Sequence, residues 1–233
     1  MERIKLICKA LEEEYGRPQW KQSENLLDEL IATVLSQNTT SNQSQRAFAA
    51  IKAKFGSWDE VRNCTPADLR DVIRSAGLAG VKATRIVAIL NEIYNRHGKL
   101  DLQWMDSVPE EEALSYLQGL DGVGRKTAAC VLMFGAGKPI MPVDTHVYRV
   151  ATRLGLIEPK GADKAHDDLQ RLVPPDMVYS LHVNLVKHGR SICKARSPAC
   201  AKCVLREYCD SYREGKVWSK QWQKKSRDKV KTS

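Results

Sequence analysis

Apolar residues recur at three- and four-residue steps over most of the chain. Between 24 and 35, Leu26, Leu27, Leu30, Ile31, Val34 and Leu35 fall on one face of a helix. Similar stripes run through Ala47-Phe48-Ile51-Phe55, Leu69-Val72-Ile73 and Ile86-Val87-Leu90-Ile93-Tyr94, and continue over 110–117, 125–134, 145–154, 164–173 and 177–187. Breakers lie between them: Gly56-Ser57, Thr65-Pro66, Gly77 and Gly80, Gly98, Pro109, Gly119 to Gly124, Gly135 and Gly137, Pro159, Pro174-Pro175 and Gly189. Alternating strand patterns with hairpin turn signals are missing. The pattern therefore predicts an all-α fold of about ten helices joined by short loops.

Composition narrows the possible roles. No stretch reaches the ~18 uninterrupted apolar residues of a spanning helix, and Met1-Glu2-Arg3-Ile4-Lys5 opens no secretory signal. A cytoplasmic protein without membrane contact is expected. Lys and Arg number 37 against 28 acidic residues, and the net charge of +9 favours a polyanionic partner. Residues 213–233 hold eight of the basic residues with Trp218 and Trp222 among them. This run reads either as a solvated tail or as an auxiliary arm on nucleic acid. Cys8, Cys64 and Cys130 stand alone and read as small buried apolar residues. Cys193, Cys200, Cys203 and Cys209 instead crowd together as C-x6-C-x2-C-x5-C. Disulfides do not suit a cytoplasmic chain, so four thiolates around one metal centre are expected, and spacing alone leaves zinc and iron–sulfur open.

Residues 113–128 read as helix, tight turn, helix. Gly122 and Gly124 allow unusual dihedrals and close approach of a ligand to the backbone, and Val123 between them can anchor the turn in the core. The second helix then starts near Gly124 with free N–H groups suited to a phosphate. Taken alone, the turn could be a plain connector. Lys126 lies in the first turn of that helix, where the helix dipole and Arg125 both disfavour its ammonium form. A neutral amine there could attack a sugar carbon, while a charged one would only contact phosphate. Asp144 precedes the stripe Val147-Val150-Ala151-Leu154 and reads as its N-cap. His146 reads as a structural hydrogen-bonding residue.

The run Gly119-Leu120-Asp121-Gly122-Val123-Gly124-Arg125-Lys126-Thr127-Ala128, followed by Pro142-Val143-Asp144-Thr145-His146-Val147-Tyr148-Arg149-Val150, resembles the helix-hairpin-helix DNA glycosylases with an essential aspartate. With the cysteine loop added, residues 20–211 resemble the endonuclease III branch, with three motifs in the same order. The resemblance implies two helical domains flanking a DNA cleft. One would span 21–137 and end in the hairpin; the other would join 1–20 to 138–211 and hold a [4Fe-4S] cluster on Cys193, Cys200, Cys203 and Cys209, leaving 212–233 as a basic tail. Lys126 becomes the nucleophile that forms a Schiff base, and Asp144, across the cleft, the carboxylate that helps activate it. Gly122, Val123, Gly124 and Arg125 would grip the DNA backbone, and Lys194, Arg196 and Lys202 would form a basic surface over the cluster loop.

Base removal requires the target to leave the stack, so side chains must fill the gap. The resemblance makes Leu78 a wedge, although it could equally be an ordinary loop anchor. The plug is either Gln37, which reaches further, or Asn38, which keeps the column spacing in Leu35-Ser36-Gln37-Asn38-Thr39. Asp121 stands where the family usually has proline, which would weaken DNA affinity.

The implied activity is that of a bifunctional glycosylase and abasic-site lyase. It would be monomeric and nucleoid-associated, and would remove oxidised pyrimidines from duplex DNA. An adenine-mismatch enzyme is disfavoured, since Ala32 replaces its acid and 212–233 is too short for its extra domain. A thymine or uracil mismatch glycosylase without lyase chemistry, and a non-catalytic module stapled by a metal, remain as alternatives. Borohydride trapping on abasic DNA separates both from the bifunctional reading.

Overall fold

The computed structural model describes residues 2–216, which are helical with no strand among them. Trp218, Trp222 and the basic residues from Lys220 onward lie outside the described residues. Contacts divide the chain into two compact units: one spans Lys21–Lys138, and the other joins residues up to Trp20 to those from Pro139 onward.

The second of these units opens with α1 (Glu2–Tyr15), which buries Ile4, Ile7, Cys8 and Leu11. The chain then enters the Lys21–Lys138 unit. There α2 (Leu26–Ser36) starts where Asn25 Oδ1 accepts from Leu27 N at 2.9 Å and Asp28 N at 3.3 Å. It buries Leu27, Leu30, Ile31 and Val34, and cutting any of the larger ones to alanine should cost about 2–5 kcal/mol. A Thr40–Gln43 capping box starts α3 (Ser41–Lys54) and Ser57 caps α4 (Trp58–Asn63). A Thr65–Asp68 box with Pro66 in the first turn starts α5 (Pro66–Val72). Then come α6 (Ala79–His97), α7 (Glu110–Gln118) and α8 (Arg125–Gly135). Here α2 packs on α3 and α8, α6 on α4 and α5, and α7 on α8.

Beyond Pro139 the chain forms α9 (Thr145–Leu154), α10 (Ala162–Leu172), α11 (Val178–Ser191) and α12 (Asp210–Arg213). Helix α11 packs against both α1 and α9, and α12 packs on α9. Arg3 stitches the start of the chain to its end, donating to Leu154 O at 2.5 Å, Tyr208 O at 2.7 Å and Asp210 Oδ1 at 2.7 Å. No described helix is long and apolar enough to cross a membrane.

Candidate nucleic-acid interface and metal centre

The hairpin between α7 and α8 is anchored by Leu120 and Val123, both almost fully buried. Gly122 has φ +68°, and a Cβ there would lie 1.7 Å from Arg85 Nε; only glycine fits. Gly124 is different. Its φ is −79° and a Cβ would meet nothing of the protein within 4 Å, so any demand for glycine at 124 must come from outside the fold. No side chain caps α8 at Gly124. The first i to i−4 bond runs from Ala128 N to Gly124 O. The N–H groups of Arg125, Lys126 and Thr127 thus emerge at the positive helix end without intrahelical partners.

The structure corrects the expectation for Val123. Its side chain is in the core and its N–H donates to Leu120 O at 3.1 Å. It therefore shapes the turn and has no side chain or N–H left for a ligand. Arg125 and Lys126 are half-buried. Among the described residues the Lys126 ammonium has no ion pair or hydrogen-bond partner, and so is unencumbered.

Gln37 is tied into the fold. Its Nε2 donates to Gly122 O and to Thr127 Oγ1, each at 3.2 Å, and its Oε1 accepts from Arg85 Nη1 at 2.9 Å. A side chain spending both ends of its amide on the hairpin cannot also fill a gap in DNA without breaking three hydrogen bonds. Asn38 is exposed, with φ +51°. The structure thus gives Gln37 an internal part and leaves Asn38 at the surface. Leu78 is 61% exposed at φ +50°. A left-handed backbone at two such residues costs about 1–3 kcal/mol each and marks loops held for a purpose. Leu78 is thus among the exposed large apolar residues rather than in the core.

In the other unit, Asp144 Oδ1 caps α9, accepting from His146 N at 2.8 Å and Val147 N at 2.7 Å. The N-cap expectation holds. His146 Nδ1 lies 3.1 Å from Arg149 Nη2, and burial pushes its pKa down despite the nearby Asp144 carboxylate. A neutral ring accepting from Arg149 is the consistent state, in keeping with a structural role.

The four cysteines of the loop are free thiols lining one pocket, with Arg153, Ile192, Pro198, Arg206 and Tyr212. Among the described residues, no three or more His, Cys, Asp or Glu side chains converge to hold a single metal ion. Four thiols lining one pocket fit a multi-iron cluster, whose ligands bind separate irons. Burial pushes the thiols of Cys200 and Cys209 up, and that of Cys203 up to about 11, with neighbouring cysteines adding to the effect. Thiolates crowded this way need a cationic centre among them, so the residues fit the group.

Two supports of this loop went unread in the sequence. Arg153 is 1% exposed and reaches Lys194 O at 2.7 Å, Ala195 O at 3.1 Å and Cys193 Sγ at 3.2 Å. His188 Nε2 is 3.4 Å from Cys203 Sγ, and its Nδ1 is 2.9 Å from Tyr15 OH. Burial takes the His188 pKa down to about 4. With Tyr15 donating to Nδ1, the neutral ring offers Nε2–H to the sulfur. Lys194, Arg196 and Lys202 are all exposed.

These features match known proteins. Residues 31–175 fit the family model of HhH-GPD superfamily base excision DNA repair proteins, and residues 193–209 fit the iron–sulfur binding domain of endonuclease III. A putative DNA glycosylase of Arabidopsis thaliana is 42% identical over 74% of this chain, which spans 60% of that relative's length. Endonuclease III of Thermotoga maritima is 36% identical over 79% of this chain and 82% of its own. A solved, trapped endonuclease III–DNA covalent intermediate superposes with a TM-score of 0.76 at 27% identity, covering 92% of this chain and 97% of that one. The cofactor is a [4Fe-4S] cluster, and the chain belongs to the HhH-GPD superfamily as an endonuclease III-like DNA glycosylase of base excision repair.

Proposed function

We propose that this chain is a bifunctional enzyme that removes oxidised pyrimidines from duplex DNA and then cuts the strand as an abasic-site lyase. The observation that carries the reading is Lys126. It stands in the first turn of α8, whose start no side chain caps, with no ion pair of its own among the described residues.

The chemistry then runs as follows. The neutral Lys126 amine attacks C1′ of the extruded nucleotide, and the N-glycosidic bond breaks as the base departs with its electron pair and takes up a proton. The amine loses a proton, the C1′–O4′ bond opens with O4′ taking up a proton, and the resulting protonated Schiff base acidifies the C2′ proton. Its loss expels the 3′ phosphate by β-elimination, and water releases the unsaturated sugar from Lys126. Asp144 supplies the carboxylate that helps activate the amine and offsets positive charge at the sugar. Its capping bonds use Oδ1 alone, leaving Oδ2 for that task. Gly122, Gly124 and Arg125 hold the phosphate backbone, while Asn38 and Leu78 fill the vacated stack. Cys193, Cys200, Cys203 and Cys209 ligate the cluster, which when bound supplies a cross-link of the loop. That cross-link fixes Lys194, Arg196 and Lys202 as a cationic surface for DNA. The setting is the cytoplasmic nucleoid and the protein acts as a monomer.

Borohydride trapping on an abasic duplex tests the proposal. Wild type should yield a covalent adduct and Lys126→Gln none, with stability unchanged within about 0.5 kcal/mol because the side chain has no partner to lose. Base release by wild type without any adduct would instead indicate a glycosylase lacking lyase chemistry.

A further inference from the structure

Lys82 is the most unusual charge of the hairpin unit. It lies in the first turns of α6, is 2% exposed, and has no carboxylate partner among the described residues. Its Nζ donates to Leu35 O at 2.6 Å, Thr39 Oγ1 at 2.6 Å and Ala76 O at 2.7 Å. All three ammonium donors are therefore used. Thr39 Oγ1 also bonds to Ala76 O, and lies 3.2 Å from Gln37 O. Burial lowers the Lys82 pKa. A cation without a counter-ion is costly to bury and remains only where its donors meet a need.

That need is local. Leu35 O is among the last carbonyls of α2, which have no acceptor role inside the helix and lie at its negative end. Ala76 O is the last carbonyl of the 3-10 turn Arg74–Ala76. Each carbonyl is followed within three residues by a non-glycine residue in the left-handed region: Asn38 at φ +51° and Leu78 at φ +50°. We propose that Lys82 is a positioning residue that clamps the 35–39 and 76–78 loops together, so that Asn38 and Leu78 meet DNA as one preformed, two-sided wedge. The single ammonium fixes the spacing between the loops from behind. Gln37, facing the opposite way, ties the same loop to Gly122 and Thr127 beside Lys126. Extrusion of the target and presentation of the amine thus share one scaffold.

The inference rests on the proposed function, and its test separates the two. Lys82→Met keeps the length and apolar stem but removes the donors, and Thr39→Val removes the bridging hydroxyl while leaving Lys82. Three readouts are taken on the loaded full chain under single turnover. They are excision from a duplex bearing thymine glycol, cleavage of a duplex with a preformed abasic site, and fluorescence of a 2-aminopurine beside the lesion. Lys82→Met should slow excision at least tenfold and lower the fluorescence rise. Cleavage at the abasic site, where no base must be unstacked, should fall less than threefold. Thr39→Val should shift in the same sense by a smaller factor. In a Leu78→Ala background, Lys82→Met should add less than threefold, because the two act through one step.

Equal losses on both substrates, or full additivity with Leu78→Ala, would reduce Lys82 to a general support and overturn the inference. If Lys82→Met fails to fold, Thr39→Val decides by the same ratio of excision to cleavage. Failure of wild type to trap abasic DNA would strike the proposed function itself, which none of the variant ratios do.

Discussion

Two alanine substitutions two residues apart should have opposite signatures. In Gly122→Ala the new methyl must accept φ +68°, which costs about 1–2 kcal/mol, and must displace Arg85, whose Nε, Cζ and Cδ would lie 1.7, 2.1 and 2.3 Å away. Moving the guanidinium breaks its 2.9 Å bond to Gln37 Oε1, a charged hydrogen bond worth about 1.5–3 kcal/mol. The expected loss is about 2.5–5 kcal/mol, or a fall in Tm of roughly 5–20 °C for a chain of this size. Gly124→Ala meets no atom within 4 Å and keeps an ordinary φ. Its stability should stay within about 0.5 kcal/mol of wild type, because the less favourable N-cap is offset by reduced freedom of the unfolded chain. Its DNA affinity should nevertheless drop about tenfold, about 1.4 kcal/mol, since the methyl stands where a phosphate must approach the N–H groups. Urea melts followed by circular dichroism, paired with DNA titration by anisotropy at fixed salt, read both quantities. A Gly122→Ala protein as stable as wild type, or a Gly124→Ala protein that binds DNA normally, would refute the reasoning.

Asp144→Asn should keep the α9 cap and unfold within about 0.5 kcal/mol of wild type, whereas Asp144→Ala should lose about 1 kcal/mol; both should cut base release at least about 100-fold. Equal stability and activity losses in the asparagine variant would leave Asp144 as a cap alone. Arg153→Met strips the donors from Lys194 O, Ala195 O and Cys193 Sγ, so a chelator should bleach the visible absorption of the loaded protein about 10–100-fold faster. Unchanged bleaching would show that Arg153 does not secure the loop. Burial raises the Glu29 pKa above its ordinary value, with Thr33 Oγ1 opposing at 3.3 Å. The charged carboxylate is thus the penalised form, and its cost grows as pH climbs from the unfolded value through the folded one. Glu29→Gln should raise the urea midpoint at pH 7, with the gain shrinking as the pH is brought down to 4; a gain independent of pH would contradict this.

The helix pattern was legible where periodicity and caps agreed. The 145–154 stripe coincides with α9 because Asp144 starts it and Gly155, at φ +72°, ends it. Helix α4 was not legible: six residues between Gly56-Ser57 and Cys64-Thr65 are too few to show a period. The cysteine loop could be read from spacing as a metal centre, and the Asp144 cap from the stripe it precedes. What escaped was burial of charge. Lys82 and Arg153 look like solvent-facing positions of amphipathic helices, and their acceptors, Leu35 O and Lys194 O, lie 47 and 41 residues away. No local pattern encodes that. The ambiguity between Gln37 and Asn38 was likewise undecidable in one dimension, since the partners of Gln37, namely Gly122, Thr127 and Arg85, are all remote in sequence.

The Arg3 stitch carries a consequence for how the molecule is made. Residues 21–138 form a continuous unit that can fold as soon as residue 138 clears the ribosome. The first helix cannot finish at that point, because Arg3 waits for Leu154, Tyr208 and Asp210. Its apolar face stays uncovered until α11 emerges to meet it. Iron delivery therefore waits until Cys209, the last of the four loop cysteines, has been added.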